Sequence, residues 1–404
     1  MWDTTVDVNA VKEIRTKTTT YLGVGAIAKI NDIAAALTAR GIQSVLCVTG
    51  GRSYKLTGAW DHVVEACKKN GIAITLYDKV TPNPTTDAID EATALGRAGG
   101  AQAVIAIGGG SPIDAGKSAA ILLANPGRTA DELYSFAFVP SIAVPIVVIN
   151  LTHGTGSEVN RFAVATITSL NHKPAIAYDC IYPLFSIDDP GLMTKLSPAQ
   201  TRFVSIDAVN HVIEAATAVT ANPLSVLLAQ ETIRLVAAYL PAASANPEDL
   251  RARYCLTYAA MLAGTAFDNG LLHFTHALEH PLSAVKPELA HGLGLSMLLP
   301  AVIRQCYPAQ SAVLAQILSP IVPGLAGDPK EAALAARGVE QWLASVGVPQ
   351  KLGDEGFTEA DIDGLCDLVE QTPSLGLLLS VAPVPGTRDR VAAIYRESLK
   401  PMPA

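Results

Sequence analysis

The stretch AQAVIAIGGGSPIDAGKS, residues 101–118, decides how this chain is built. Residues 103–107 are a short apolar run, the length and character of a buried strand. Three glycines follow, then Ser111 and Pro112. Ser111 is a good helix cap and Pro112 a good first helical residue, because proline there loses no intrahelical hydrogen bond. A strand that runs through glycines into a helix aims free N–H groups and the positive helix end at one spot. Gly109 and Gly110 would let a phosphate approach that spot closely. The plainer reading is a tight strand-to-helix turn with no ligand. Residues 111–118 nearly spell a nucleoside-triphosphate loop, but that motif needs glycine where Ser111 stands. With Pro112 opening a helix, Lys117 and Ser118 fall in mid-helix, where they cannot cradle a phosphate.

The same alternation extends outward on both sides. From residue 18 to about 190, short β-rich runs (TTTYLGVG, SVLCVTGG, AITLYDKV, PIVVINLT) alternate with Ala-rich helical runs, including 60–70, 85–98 and 112–124. Such a pattern predicts a doubly wound parallel sheet with helices on both faces. After about residue 188 no strand pattern remains, and long runs with helical spacing follow. Asn222-Pro223 and Asn246-Pro247 read as helix starts. The expectation is an α/β dinucleotide-binding domain over 1–189 and an all-helical domain over 190–404.

Other strand-end loops compete for a nucleotide. Gly23-Val24-Gly25 with Ala28 is a weak match to the dinucleotide fingerprint, because 31 glycines give chance matches. After the strand SVLCV come Gly50, Gly51, Arg52, Ser53 and Lys55. An NAD-preferring site usually carries an acid there for the ribose 2′-hydroxyl, and none is present. Small residues with two cations suit a 2′-phosphate, which predicts NADP(H) over NAD(H), with NAD(H) still possible. The loop LTHGTGSE, residues 151–158, follows the strand PIVVIN and offers the hydroxyls of Thr152 and Thr155. His153 reads as a loop residue rather than a metal ligand.

The second half carries a different chemistry. LLHFTHALEHPLSAVKPELAHGLGLSMLLP, residues 271–300, holds four of the chain's eight histidines. His276 and His280 are four apart, on one face of a helix, and His291 follows after a break containing Pro287. Upstream, Asp207 and His211 repeat the four-residue spacing. A carboxylate with several imidazoles suits iron or zinc, and the pattern does not choose between them.

The bulk numbers exclude other classes. Half the residues are hydrophobic and the net charge is −8 with no Lys/Arg-rich run, so nucleic acid is not the expected partner. The longest apolar run, near 293–303, is too short to span a bilayer and contains Pro300. No membrane partner is expected. Six scattered cysteines without a CxxC fit a reduced, cytoplasmic protein.

Taken together, Pro82-Asn83-Pro84, residues 108–112 with Asp114, residues 154–158, Asp188-Asp189-Pro190, Asp207 to His211 with Glu214, and His276, His280 and His291-Gly292 resemble the iron-containing (group III) alcohol dehydrogenase family. Its fold is shared with glycerol dehydrogenase and dehydroquinate synthase. The resemblance covers nearly the whole chain. It implies hydride transfer between a nicotinamide cofactor and a small alcohol or aldehyde, a divalent metal, and a homodimer. Carried over position by position, Asp207, His211, His276 and His291 would hold Fe2+ or Zn2+. His280 would contact substrate or relay a proton. Gly109, Gly110, Ser111, Asp114, Thr152, Thr155 and Lys173, with the Gly50 to Lys55 loop, would bind the cofactor. That loop resembles the NADP(H)-using branch. The chain departs from the family at position 153, where Thr or Ser is frequent. Three alternatives remain: a lyase or cyclase of the dehydroquinate synthase type, a P-loop NTPase, and a non-catalytic nucleotide sensor.

Overall fold

The strands appear where the apolar runs place them. The structure, a computed structural model that describes residues 11–403, has eight: β1 (Thr19–Leu22), β2 (Ser44–Gly50), β3 (Ala73–Val80), β4 (Ala103–Gly108), β5 (Ile146–Asn150), β6 (Phe162–Val164), β7 (Ala175–Ala177) and β8 (Phe185–Asp188). Six form one sheet in the order β1-β8-β5-β4-β2-β3, and every neighbouring pair is parallel. Side chains alternate strictly through the sheet. Leu46, Val48, Val104, Ala106, Ile146 and Val148 join the core on one face. Val45, Cys47, Ala103, Ile105, Ile107, Val147 and Ile149 join the core on the other. Both faces are therefore covered, which is why these strands read as unbroken apolar runs. Strand order reverses between β2 and β4, and ligands of such sheets bind beyond the carboxyl ends at that reversal.

The pair β6–β7 is a small antiparallel hairpin that the sequence reading did not anticipate. Each strand has only three residues, too few to show a period. The helix after β4 runs Gly110–Ala124 and begins earlier than Ser111-Pro112 implied; Gly109 takes the cap position without a side-chain bond. Asn222 caps the helix Pro223–Ala245 as expected, accepting from Ser225 N at 3.0 Å. Asn246 instead accepts from Glu248 N at 3.1 Å in a tight turn, and Asp249 caps the helix Leu250–Gly270 by accepting from Ala252 N at 2.9 Å.

Compactness divides the chain into two units. The α/β unit comprises Thr16–Ser197 and Asn246–Met261; the other contains 11–15, Pro198–Ala245 and 262–403. The expected change at 189/190 thus falls inside the α/β unit. Asp189 explains this, because its carboxylate accepts from Ile27 N at 3.0 Å and Gly191 N at 2.9 Å, tying the turn after β8 back to the sheet. Among the described residues the second unit has no strand. Its helix Pro223–Ala245 is long and apolar enough to cross a membrane, yet Ala229, Ile233, Val236 and Leu240 are buried, as in an ordinary core helix. All six cysteines are free.

Candidate active site

In the α/β unit the glycine loop and the 151–158 loop meet. A Cβ on Gly109 would stand 2.8 Å from Thr152 Cγ2, and one on Gly110 would stand 2.6 Å from Thr155 Cγ2. Only glycine admits these threonines, so the two loops interlock at the reversal of strand order. Thr152 Oγ1 is buried with no hydrogen-bond partner, the state of a hydroxyl built to meet a ligand. An uncapped helix start beside it suits the phosphates of a nicotinamide nucleotide.

Asp114 is tied to the segment that follows the loop. Its Oδ1 accepts from Ser157 Oγ at 2.6 Å and its Oδ2 from Val164 N at 3.0 Å. Burial pushes its carboxyl up to about 6, against the pull of Lys117 and the Ser157 bond. Lys117 is fully buried in mid-helix and donates to Ser157 Oγ at 2.9 Å, Asn160 O at 2.9 Å and Phe162 O at 2.8 Å. It braces the loop from beneath, which disposes of the P-loop reading. Lys173, also buried, donates to Asn83 Oδ1 at 2.9 Å.

Gly51, Arg52, Ser53 and Lys55 lie exposed beyond the end of β2. No acid ends that strand. The carboxylate of Asp78, on neighbouring β3, is bound by the Tyr54 hydroxyl at 2.9 Å.

In the helical unit three of the four expected metal ligands, Asp207, His276 and His291, come together as one donor group, and His211 stands beside Asp207 outside that group. One donor atom each from Asp207, His276 and His291 lies within 4.8 Å of the others. The Nε2 atoms of His211, His276 and His291 stand 3.5, 3.7 and 3.9 Å from the same oxygen, Asp207 Oδ1. Asp207 Oδ1 and His276 Nε2 are buried without hydrogen-bond partners. Two orphaned donors facing each other in a carboxylate–imidazole set fit a divalent cation.

Two further carboxylates aim these rings. Glu214 bonds His276 Nδ1, and Glu279 bonds His291 Nδ1. Each leaves the Nε2 lone pair pointing inward, as in metal sites generally. His211 instead stacks between Phe267, at 4.5 Å, and His276, at 4.6 Å between ring centroids. His273, the remaining histidine of the stretch, bonds Thr217 at 2.9 Å. His280 is buried, with its ring 6.0 Å from that of His291 and 6.5 Å from that of His276.

Electrostatics agree with the geometry. Burial would raise Asp207, but His211, His276 and His291 hold it well below the usual carboxylate range. Burial lowers His211 to about 3, leaving the neutral ring that metals require. Burial also opposes charge on His276, yet Glu214 and Asp207 outweigh it and push the ring up to about 9. Without a metal the cluster therefore holds a proton at neutral pH. A cation must displace it, so metal uptake at pH 7 is expected to release protons and to weaken as pH falls. Titration calorimetry in buffers of different ionisation enthalpy reads this directly; equal heats in all buffers would contradict it.

Glu279 went unnoticed in the sequence because an acid beside two histidines reads as ordinary helix surface. The signal was its apolar setting, ALEHPL, in which an unpaired carboxylate is costly. Lys117, the one cation in the run IDAGKSAAILLA, carried the same signal.

Comparison with known proteins agrees with both halves. Residues 17–190 match the family described as "Iron-containing alcohol dehydrogenase", and 201–399 match "Fe-containing alcohol dehydrogenase family, C-terminal". A long-chain primary alcohol dehydrogenase of Thermoanaerobacter ethanolicus is 59% identical over 398 residues, covering 98% of this chain and 100% of the relative. A 1,3-propanediol dehydrogenase of Klebsiella pneumoniae is 34% identical, covering 89% and 92%. The solved structure of an NADH-dependent butanol dehydrogenase of Thermotoga maritima superposes with a TM-score of 0.88 at 28% identity, covering 97% and 99%. The chain belongs to the iron-containing alcohol dehydrogenase family, and it is an oxidoreductase that acts on alcohols with a nicotinamide cofactor and a metal.

Proposed function

We propose that this enzyme interconverts primary alcohols, long-chain ones included, and their aldehydes, with NADP(H) preferred over NAD(H). The observation that carries the metal-dependent chemistry is the convergence of three imidazole Nε2 atoms on the orphaned Asp207 Oδ1. Asp207, His211, His276 and His291 would hold the ion, and Glu214 and Glu279 would keep two of the rings oriented. When bound, the divalent ion supplies a Lewis acid and the nicotinamide supplies the hydride donor or acceptor. Gly109, Gly110 and the Thr152 hydroxyl would seat the nucleotide. His280 would hand the proton to or from bulk solvent at a ring nitrogen. The chain length is argued from the Thermoanaerobacter relative, which bears that specificity in its name.

The cofactor preference is argued from the end of β2. With Gly50 and Gly51 in place of an acid, the end of β2 presents no carboxylate of its own to a 2′-phosphate, and the Asp78 carboxylate on β3 is held by the Tyr54 hydroxyl. Arg52 and Lys55 would pair with it. Absorbance at 340 nm, with aldehydes of increasing length and ferrous iron or zinc restored, tests the reading. Oxidation of NADPH well above NADH, abolished by a chelator, is expected. Replacing Arg52 and Lys55 together by alanine is expected to raise the KM for NADPH roughly tenfold or more, on the order of 1.5–3 kcal/mol of charge-assisted bonding, and to spare NADH. A preference for NADH in the unaltered enzyme would overturn the 2′-phosphate argument.

A further inference from the structure

The segment Asn246–Met261 rejoins the α/β unit after the chain has passed through two helices of the other. It brings one buried cation with it. Arg253 is fully buried, and so is His153, in the loop after β5. Arg253 Nη1 donates to His153 Nε2 at 2.8 Å, and Arg253 Nε donates to Pro247 O at 3.0 Å. Only a neutral imidazole with a bare Nε2 can accept that bond. Burial, and then the Arg253 charge, lower His153 to about 3, so the ring is in that form at every working pH. His153 is therefore committed to Arg253.

Its neighbours make this pairing consequential. Thr152 precedes it, held by a bond from Thr152 N to Asn150 Oδ1 at 3.1 Å. Thr152 and Thr155, on either side of His153 and Gly154, are the residues that interlock with Gly109 and Gly110. At those separations a small shift of the loop would either collide with the glycines or withdraw the Thr152 hydroxyl. We propose that Arg253 and His153 form a positioning clamp that fixes the Thr152–Thr155 loop against the glycine turn before the nucleotide arrives. The clamp rests on the reading of these loops as the cofactor seat. It gives residue 153 a role that the frequent Thr or Ser of the family could not fill in the same way, because a ring reaches a deeply buried guanidinium where a short hydroxyl does not.

Steady-state kinetics on the metal-loaded enzyme test the clamp. His153→Leu removes the acceptor and is expected to raise the cofactor KM about tenfold with kcat within about twofold, because binding is impaired before chemistry. His153→Gln restores an acceptor oxygen and is expected to return the KM to within about threefold of the parent. If His153→Leu fails to fold with Arg253 left unpaired, His153→Leu with Arg253→Leu replaces the pair by apolar groups, and the same raised KM is expected. An unchanged cofactor KM in a folded Leu variant, or a Gln variant as impaired as Leu, would overturn the clamp. Gly109→Ala separates the two readings. If it too leaves the cofactor KM unchanged, the cofactor seat itself is misplaced; if it raises the KM while His153→Leu does not, only the clamp fails.

Discussion

Asp207→Ala is expected to strip the enzyme of its divalent ion and to lower kcat by at least about a thousandfold, since a Lewis acid supplies several kcal/mol of charge stabilisation. The expectation follows from position. Asp207 Oδ1 is the point on which the Nε2 atoms of His211, His276 and His291 converge at 3.5–3.9 Å. Without that carboxylate three imidazoles face one another with no anion among them. A charged cation there would then lack its only anionic ligand. His276→Ala is expected to behave alike, for the complementary reason that Glu214 would lose the ring it orients. Metal analysis alongside turnover at 340 nm decides the matter. Either variant with full metal content and full activity would remove these residues from the site.

Gly292→Ala is expected to destabilise the protein by about 3 kcal/mol or more, the range of severe overpacking, and to lower Tm by roughly 4 °C or more. A Cβ at 292 would lie 2.1 Å from Phe203 O and 2.6 Å from Phe203 C. Those are backbone atoms of the helix Pro198–Thr217, so no side chain can swing aside. Relief requires the helix His291–Leu318 to move away, and these two helices carry His291 on one side and Asp207 with His211 on the other. Metal affinity should fall with stability. Gly294→Ala offers the contrast, because its Cβ would meet the Glu279 side chain, Cγ at 2.8 Å. That variant is expected to push Glu279 off His291 and to weaken metal binding about 10–100-fold with a smaller loss of Tm. Gly364→Ala, at an exposed position of the helix Ile362–Gln371 with nothing within 4 Å of the added methyl, is the control and should be neutral or stabilising. Calorimetric melting of the three variants checks the order; a benign Gly292→Ala would refute the close helix contact.

Much of this was legible in the residues. Strands buried on both faces announce themselves as unbroken apolar runs, so β2, β4 and β5 were readable from composition alone. A candidate metal cluster was legible because Asp207 and His211, and His276 and His280, repeat a helical interval in a chain with few histidines; the choice of His291 rather than His280 as a candidate ligand came from the family resemblance alone. What escaped was whatever depends on partners distant in sequence. Asp114 stands in the right motif, but its partners, Ser157 in a short turn and Val164 at the end of three-residue β6, lie in segments with no period to betray them. His153 read as a loop residue and no more, because nothing local reveals that Arg253 will meet it. Glu279 looked like helix surface until the break before His291 folded back and brought the ring to it. Spacing reports which residues share a face; it does not report what that face will touch.

The return of Asn246–Met261 to the α/β unit also bears on how the molecule is made. A ribosome that has released the chain only through residue 197 has delivered the entire sheet, yet this half still lacks its last helical segment. His153 and Met193, which Arg253 and Thr257 later meet, wait with their burial incomplete. The nascent half must persist in that unfinished condition while residues 198–245, which belong to the other unit, are synthesised. Folding of the two halves is thus interleaved in time rather than sequential, and a fragment cut at 197 should be a sticky, chaperone-dependent species rather than an autonomous nucleotide binder.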